Sequence, residues 1–212
     1  MDKRAVSIAL AAFGEEVNEA AARLQAEDTG FFRRAYVRAW FASIEGTCFV
    51  LKQKALELLA SHLAEQNKRG VINVPAADFM FLDETDFQLG DDGNIKPRSA
   101  RIRTLPNVLY TFQSIAKQIE STHTLSKGNG WQAFQEAVNI RDRITHPKTG
   151  ASLDITDEDL ETIRRADHWF RGELNAILIN SPKVPRKLAQ QLSPADFDNR
   201  AECGFQRSGL KT

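Results

Sequence analysis

The chain has 212 residues, 28 Lys and Arg against 28 Asp and Glu, a formal net charge of zero and 42% hydrophobic residues. That length suits one domain with a substantial core, and the balanced charge excludes a globally basic nucleic-acid binder, so any such site must be a local patch. Two cysteines, Cys48 and Cys203, give neither metal-ligand spacing nor a disulfide framework, and no apolar run is long enough to span a bilayer. With no signal-peptide h-region at the N-terminus, a reducing cytoplasm is the expected setting and no membrane partner is expected.

The first predicted helix covers residues 4–27, where Val6, Leu10, Phe13, Val17, Ala20 and Leu24 recur at three- and four-residue steps. Asp28-Thr29-Gly30 separates it from the longest helix, about 31–66, whose core stripe is Val37, Phe41, Ile44, Cys48, Leu51, Ala55 and Leu58. Arg34, Arg38, Glu45 and Lys52 share a line at the edge of that stripe, within about 40° of one another. They read either as a solvated flank or as a cleft wall, with Arg34 and Arg38 facing phosphates and Glu45 orienting a cation. Phe31, Phe32, Tyr36, Trp40 and Phe49 add bulk on other sides, which predicts contact with several helices or a dimer interface.

Residues 67–103 break the helical pattern. Val71–Val74 is a short apolar run, and Phe87-Gln88-Leu89 and Asn94-Ile95-Lys96 flank the turn residues Gly90-Asp91-Asp92-Gly93. A small β-hairpin inserted at about 71–103 is expected, reaching over a partner or substrate or merely decorating the bundle. A third helix is predicted at 106–122 on Val108, Leu109, Phe112, Ile115, Ala116 and Ile119, and a fourth at 131–145. A turn follows at 147–150. A fifth helix runs to Ile179 from an N-cap at Thr156, with Asp159 completing a variant capping box. The expected fold is an all-α, up-and-down bundle of about five helices in residues 1–180, followed by a basic, irregular tail at 181–212 with at most one short helix near 187–191. His62, His123 and His168 read as surface residues.

The fourth helix carries the chemistry. Its apolar side holds Trp131, Ala133, Phe134, Ala137, Val138, Ile140 and Ile144, yet Arg141 points into the middle of that side. An unpaired guanidinium is costly to bury, so a partner or ligand must justify it. His146 stands at the helix stop, before Pro147. An arginine on an inner helix face, an acidic residue beside it and a histidine at the helix end make the stretch Arg141-Asp142-Arg143-Ile144-Thr145-His146 resemble the signature of the HEPN superfamily (higher eukaryotes and prokaryotes nucleotide-binding). The resemblance covers the bundle, about 4–179, and excludes the hairpin and the tail.

The resemblance implies a dimer with a composite site that cleaves RNA without a metal or other cofactor, in a toxin or anti-phage defence protein restrained by an antitoxin. In that reading Arg141 and His146 are the catalytic pair. Imidazole titrates near pH 6.5, which suits proton transfer at a ribose 2′-OH, and a guanidinium offers paired N–H donors to the crowded phosphate. Asp142 would orient a neighbour or the dimer-related motif, Thr145 would donate to phosphate, and Lys148 would reach the backbone. A second reading is a non-catalytic module that binds a nucleotide or a partner protein. A third is purely structural: Arg141 pairs with Asp167 or Glu45, and His146 only ends a helix.

Overall fold

The computed structural model describes residues 3–68 and 76–184, with side chains from Ile8 onward. The fold is an all-α bundle with a small antiparallel hairpin. In chain order the elements are α1 (Lys3–Ala26), α2 (Gly30–Lys68), α3 (Ala76–Leu82), β1 (Thr85–Leu89), β2 (Ile95–Ser99), α4 (Thr104–Gln118), α5 (Asn129–Thr145) and α6 (Asp157–Ile179), with a 3₁₀ turn at Gly150–Leu153 between the last two. The predicted apolar run at 71–74, the short helix at 187–191 and Cys203 lie outside the described residues.

The 39-residue α2 is the spine. It packs against α1 through Phe13, whose ring lies so close to Gly46 that a Cβ there would sit 2.6 Å from it. On the opposite side it meets α5 and α4. Helix directions follow from the side-chain bonds. Arg38 reaches Ile144 and Glu45 reaches Arg141, so α2 and α5 are antiparallel. Lys52 reaches Asn107 while His62 meets Gln118, so α2 and α4 run parallel. The segment from α3 through the hairpin is thus a crossover that brings the chain back to start α4 beside the middle of α2.

Seven rings form the centre of the core: Trp40, Phe41, Phe112, Trp131, Phe134, Trp169 and Phe170, with neighbouring centroids 4.7–6.3 Å apart. Burying such rings supplies most of the drive for a bundle of this size. Trp169 donates its indole N–H to the carbonyl of Ser126 at 2.9 Å, which satisfies its one polar group. At Gly130 the start of α5 comes against Trp169 closely enough that a Cβ would lie 2.7–2.9 Å from it.

Helix ends obey local chemistry. Thr156 caps α6 by accepting from the Asp159 N–H, and Asp159 accepts in return from the Thr156 N–H, as the sequence predicts. The predicted third helix, now α4, stops at Gln118, four residues before the predicted end at 122. Glu120 takes φ 55°, and Ser121 N–H donates back to Ala116 O at 2.9 Å, a left-handed stop that ends the helix before Thr122.

The insertion differs from expectation in one element. Beside the hairpin lies the short helix α3, whose two turns are too few to show a period. It is held by burial of its own Leu82 and by Tyr110 of α4, whose hydroxyl reaches Asp78 O at 3.3 Å. In the hairpin Phe87 faces Pro97 and Leu89 faces Ile95. These residues share one sheet face, where Phe87, Leu89 and Ile95 are exposed. The base of the hairpin is pinned by Lys52. Its fully buried ammonium pairs with Glu84, which holds φ 54°, and donates to Asn107 Oδ1 at 2.7 Å.

The first residues of the predicted tail belong to the bundle. Ser181 is buried and its hydroxyl donates to Ile119 O at 2.6 Å, while Lys183 pairs with Glu120 at 3.0 Å.

Two stability outcomes follow. Gly130→Ala forces a methyl into the immobile Trp169 and should cost about 1–3 kcal/mol in urea unfolding. Glu84→Ala strands the buried Lys52 ammonium and should cost about 3 kcal/mol; a loss below about 0.5 kcal/mol would show that Asn107 alone satisfies it.

Candidate functional site

The α2 edge line and the end of α5 meet, and almost every charged group along the contact is engaged. Arg141 Nη2 donates to Glu45 Oε1 at 2.5 Å, and Nη1 donates to Asp142 Oδ1 at 3.2 Å. The guanidinium lies over the Phe41 ring, 5.6 Å from its centroid. Its side chain keeps 29% of its surface exposed, so it is not sunk in the core as its angular position suggests. The reason is the seam it occupies: α5 meets α2 here at its edge, where Glu45 is exposed to solvent. Of the two ion-pair partners the sequence offers, Glu45 is the one used. Asp167 instead accepts from Trp40 Nε1 at 2.8 Å and pairs with Arg171.

The arginines of that line donate to backbone carbonyls. Arg34 Nη1 donates to Leu153 O at 3.1 Å and Arg38 Nη2 donates to Ile144 O at 3.1 Å. The neighbouring Arg33 donates to Ile155 O at 2.9 Å and pairs with Asp28 and Asp157, which hold its guanidinium well above the usual arginine range, the Asp28 bond contributing most. Three successive arginines thus hold three carbonyls of the 144–155 segment. Ile144 O is in the last turn of α5, where carbonyls lack a helical donor, and a cation there also opposes the helix dipole. Arg34 and Arg38, expected to face phosphates, each spend one guanidinium nitrogen on a carbonyl, and Arg38 remains exposed to solvent. Lys52 leaves the line altogether and is buried beneath the hairpin.

Thr145 and Asp142 are also engaged locally. The Thr145 hydroxyl donates to Arg141 O at 2.7 Å, within its own helix, so its one proton is directed at backbone rather than outward. Asp142 turns to Arg141 rather than to a more distant group. His146 is the C-cap of α5, its N–H donating to Asp142 O at 2.9 Å. Its side chain is exposed and, among the described residues, makes no hydrogen bond; the same holds for Lys148. Arg143 pairs with Asp159 at 2.7 Å and ties α5 to the α6 cap.

One buried pair escaped the sequence reading. His123 Nε2 lies 2.7 Å from Glu173 Oε2, and the same carboxylate oxygen accepts from the Ser126 N–H at 3.2 Å. His123 is therefore a half-buried partner and not a surface residue. The signal was Glu173 itself, an acid in line with Phe170 and Ile177 on the apolar stripe of α6. His62, also placed on the surface, is part-buried and shared between Gln118 and Lys183; His168 is exposed as expected. Burial pushes the Cys48 thiol up to about 12, which makes it an inert core group.

Among the described residues no cluster of three or more His, Cys, Asp or Glu side chains could hold a metal ion, and no helix is long and apolar enough to cross a membrane. Comparison with protein-family models, curated proteins and solved structures finds no match for this chain. The site must be read from its own geometry.

Both members of the Arg141–Glu45 pair are partly exposed, at 29% and 46%, so solvent screens it. Glu45→Ala should therefore change unfolding free energy by about 0–1 kcal/mol. A loss of several kcal/mol in denaturant titration would make the pair a structural strut.

Proposed function

We propose that this chain is a metal-independent endoribonuclease of the HEPN type, acting as a toxin or anti-phage effector in the cytoplasm and restrained by an antitoxin partner. The observation that carries the reading is an exposed imidazole without a hydrogen-bond partner among the described residues, at the end of a helical turn that Arg38 clamps. Arg141, five residues earlier, is held in one orientation by Glu45, Asp142 and the Phe41 ring. A proton-transfer group that is reachable and a cation that is pre-aimed are the two components that RNA cleavage by an internal nucleophile requires.

In this reaction the ribose O2′ forms a bond to the adjacent phosphorus and the bond from phosphorus to O5′ breaks. One base takes the 2′-OH proton and one acid delivers a proton to O5′. The products are a 2′,3′-cyclic phosphate and a 5′-hydroxyl. Two His146 side chains in a composite site of a homodimer would divide these roles. Arg141 would stabilise the charge that builds on the non-bridging oxygens. Glu45 and Asp142 then act as placeholders: they keep the guanidinium oriented until a phosphate, a stronger bidentate acceptor, displaces at least one of them.

The same pair favours a second reading. Two carboxylates on Arg141 neutralise it, which suits a non-catalytic module that binds a nucleotide or a partner protein and engages Arg141 only on binding.

The deciding experiment is RNA cleavage by the purified protein in EDTA, beside His146→Ala. Wild type should cut and leave cyclic phosphate ends, and His146→Ala should be slower by at least about 100-fold. Equal rates would remove His146 from the chemistry. No cleavage by wild type, with nucleotide binding that is lost on Arg141→Ala, would establish the binding module instead.

A further inference from the structure

The three clamped carbonyls order the surface around His146. Ile144 O is held at the level of Arg38, Leu153 O at Arg34 and Ile155 O at Arg33. The chain that leaves α5 is therefore drawn back along α2 toward its first turn. His146 and Lys148 belong to the stretch strung between the levels of Arg38 and Arg34. Beyond Arg34 stands Phe31. At about 100° and 1.5 Å per residue, it projects within about 20° of Arg38 and lies about 10 Å along the axis from it. One edge of α2 thus carries, in order, Glu45 with Arg141, Arg38 with the turn before His146, and Phe31 at the end.

The fold makes little use of Phe31. Its ring meets Phe32 at 77°, with centroids 5.3 Å apart, so the two rings do not stack. Phe32 packs against the core, whereas Phe31 keeps 64% of its surface exposed. A single exposed aromatic is ordinary on a protein surface. This one stands in line with cations that remain reachable. Arg38 is exposed and, among the described residues, bonds Ile144 O through Nη2 alone; Lys148 is exposed and makes no bond there.

An aromatic face in line with exposed cations is the arrangement that holds single-stranded nucleic acid. The cations take the phosphates and the ring takes a base, since every base has a π-face. A base inside a duplex is stacked on both sides and does not present a face to such a ring. We propose that Phe31 is a base platform: a nucleotide flanking the cleaved phosphate stacks on its ring while Arg38 and Lys148 hold the backbone, which makes the substrate single-stranded RNA. Stacking tolerates any base, so this subsite selects strandedness rather than sequence. The substrate class rests on the ribonuclease reading; the platform itself needs only an unpaired nucleotide.

The test uses the full chain and a fluorescein-labelled single strand of about 12 2′-O-methyl ribonucleotides, beside the same strand annealed to its complement. The methyl group removes the 2′-OH nucleophile, so wild type binds the probe uncut and fluorescence anisotropy reads Kd. Wild type should bind the single strand, and Phe31→Ala should weaken binding by about 5- to 150-fold, the range a lost base stack gives. Phe31→Trp should bind as wild type does. Phe31→Leu is apolar but has no π-face and should behave as Phe31→Ala. Duplex binding should move with none of them, and helical circular dichroism should be unchanged in all three. Against cleavable RNA, Phe31→Ala should raise KM by a similar factor and leave kcat within about two-fold. A wild type that binds no single strand, a Phe31→Ala within about two-fold of wild type, or a Phe31→Leu that restores binding overturns the platform. The nuclease reading fails separately. Binding that depends on Phe31 with no RNA cut keeps the platform and loses the catalysis. Cleavage that depends on His146, with KM unchanged in Phe31→Ala, keeps the catalysis and loses the platform.

Discussion

A guanidinium that donates to a backbone carbonyl fixes a length of chain as well as a side chain, and α2 does this three times in six residues. Arg33, Arg34 and Arg38 take Ile155, Leu153 and Ile144 carbonyls, so the segment between α5 and α6 is positioned by α2 as well as by its own Thr149–Ser152 cap. This explains how a loop containing Pro147 and a single 3₁₀ turn holds a defined position. It also explains why the end of α5, and with it His146, stands where it does. If the clamps were absent, the last turn of α5 would keep a carbonyl without a protein donor and would fray. The candidate site is thus a product of helix capping across elements. Its most distinctive side chain is displayed by bonds that it does not itself make.

The fold was legible in the sequence wherever one apolar face recurred over several turns. Five long helices came out within a few residues, and the Thr156–Asp159 capping box located one start unambiguously because its chemistry is local. Three features were not legible. Helix α3 has only two turns, so period has no room to show. The end of α4 is set by a left-handed Glu120, a conformation no apolar stripe encodes. The parallel course of α2 and α4 follows from the crossover, and loop length alone does not reveal where a crossover lands.

Legibility of the site divides along the same boundary between local and long-range. The sequence could single out Arg141 as a charge on an apolar side and could name Glu45 as a partner, because angular position along a helix is local information. It could not tell that Arg34 and Arg38 point at carbonyls 119 and 106 residues away, since an arginine looks identical whether it awaits a phosphate or caps a helix. Glu173 shows the converse. An acid in the middle of an apolar stripe signalled a buried partner as plainly as Arg141 did, and His123 is that partner.

The hairpin has a bearing of a different kind. It joins the bundle at one end only, where Glu84 sits on the buried Lys52, and its far turn at Gly90–Asn94 is exposed and closed by its own backbone bonds. Foldedness of the bundle and the identity of the hairpin tip are therefore separable. Residues 90–94 can lengthen, shorten or change composition while the anchor keeps the strands in register, so this is the part of the molecule free to diversify. It is also the natural place to graft an epitope, a reporter or a foreign recognition loop without disturbing the helices that carry Arg141 and His146.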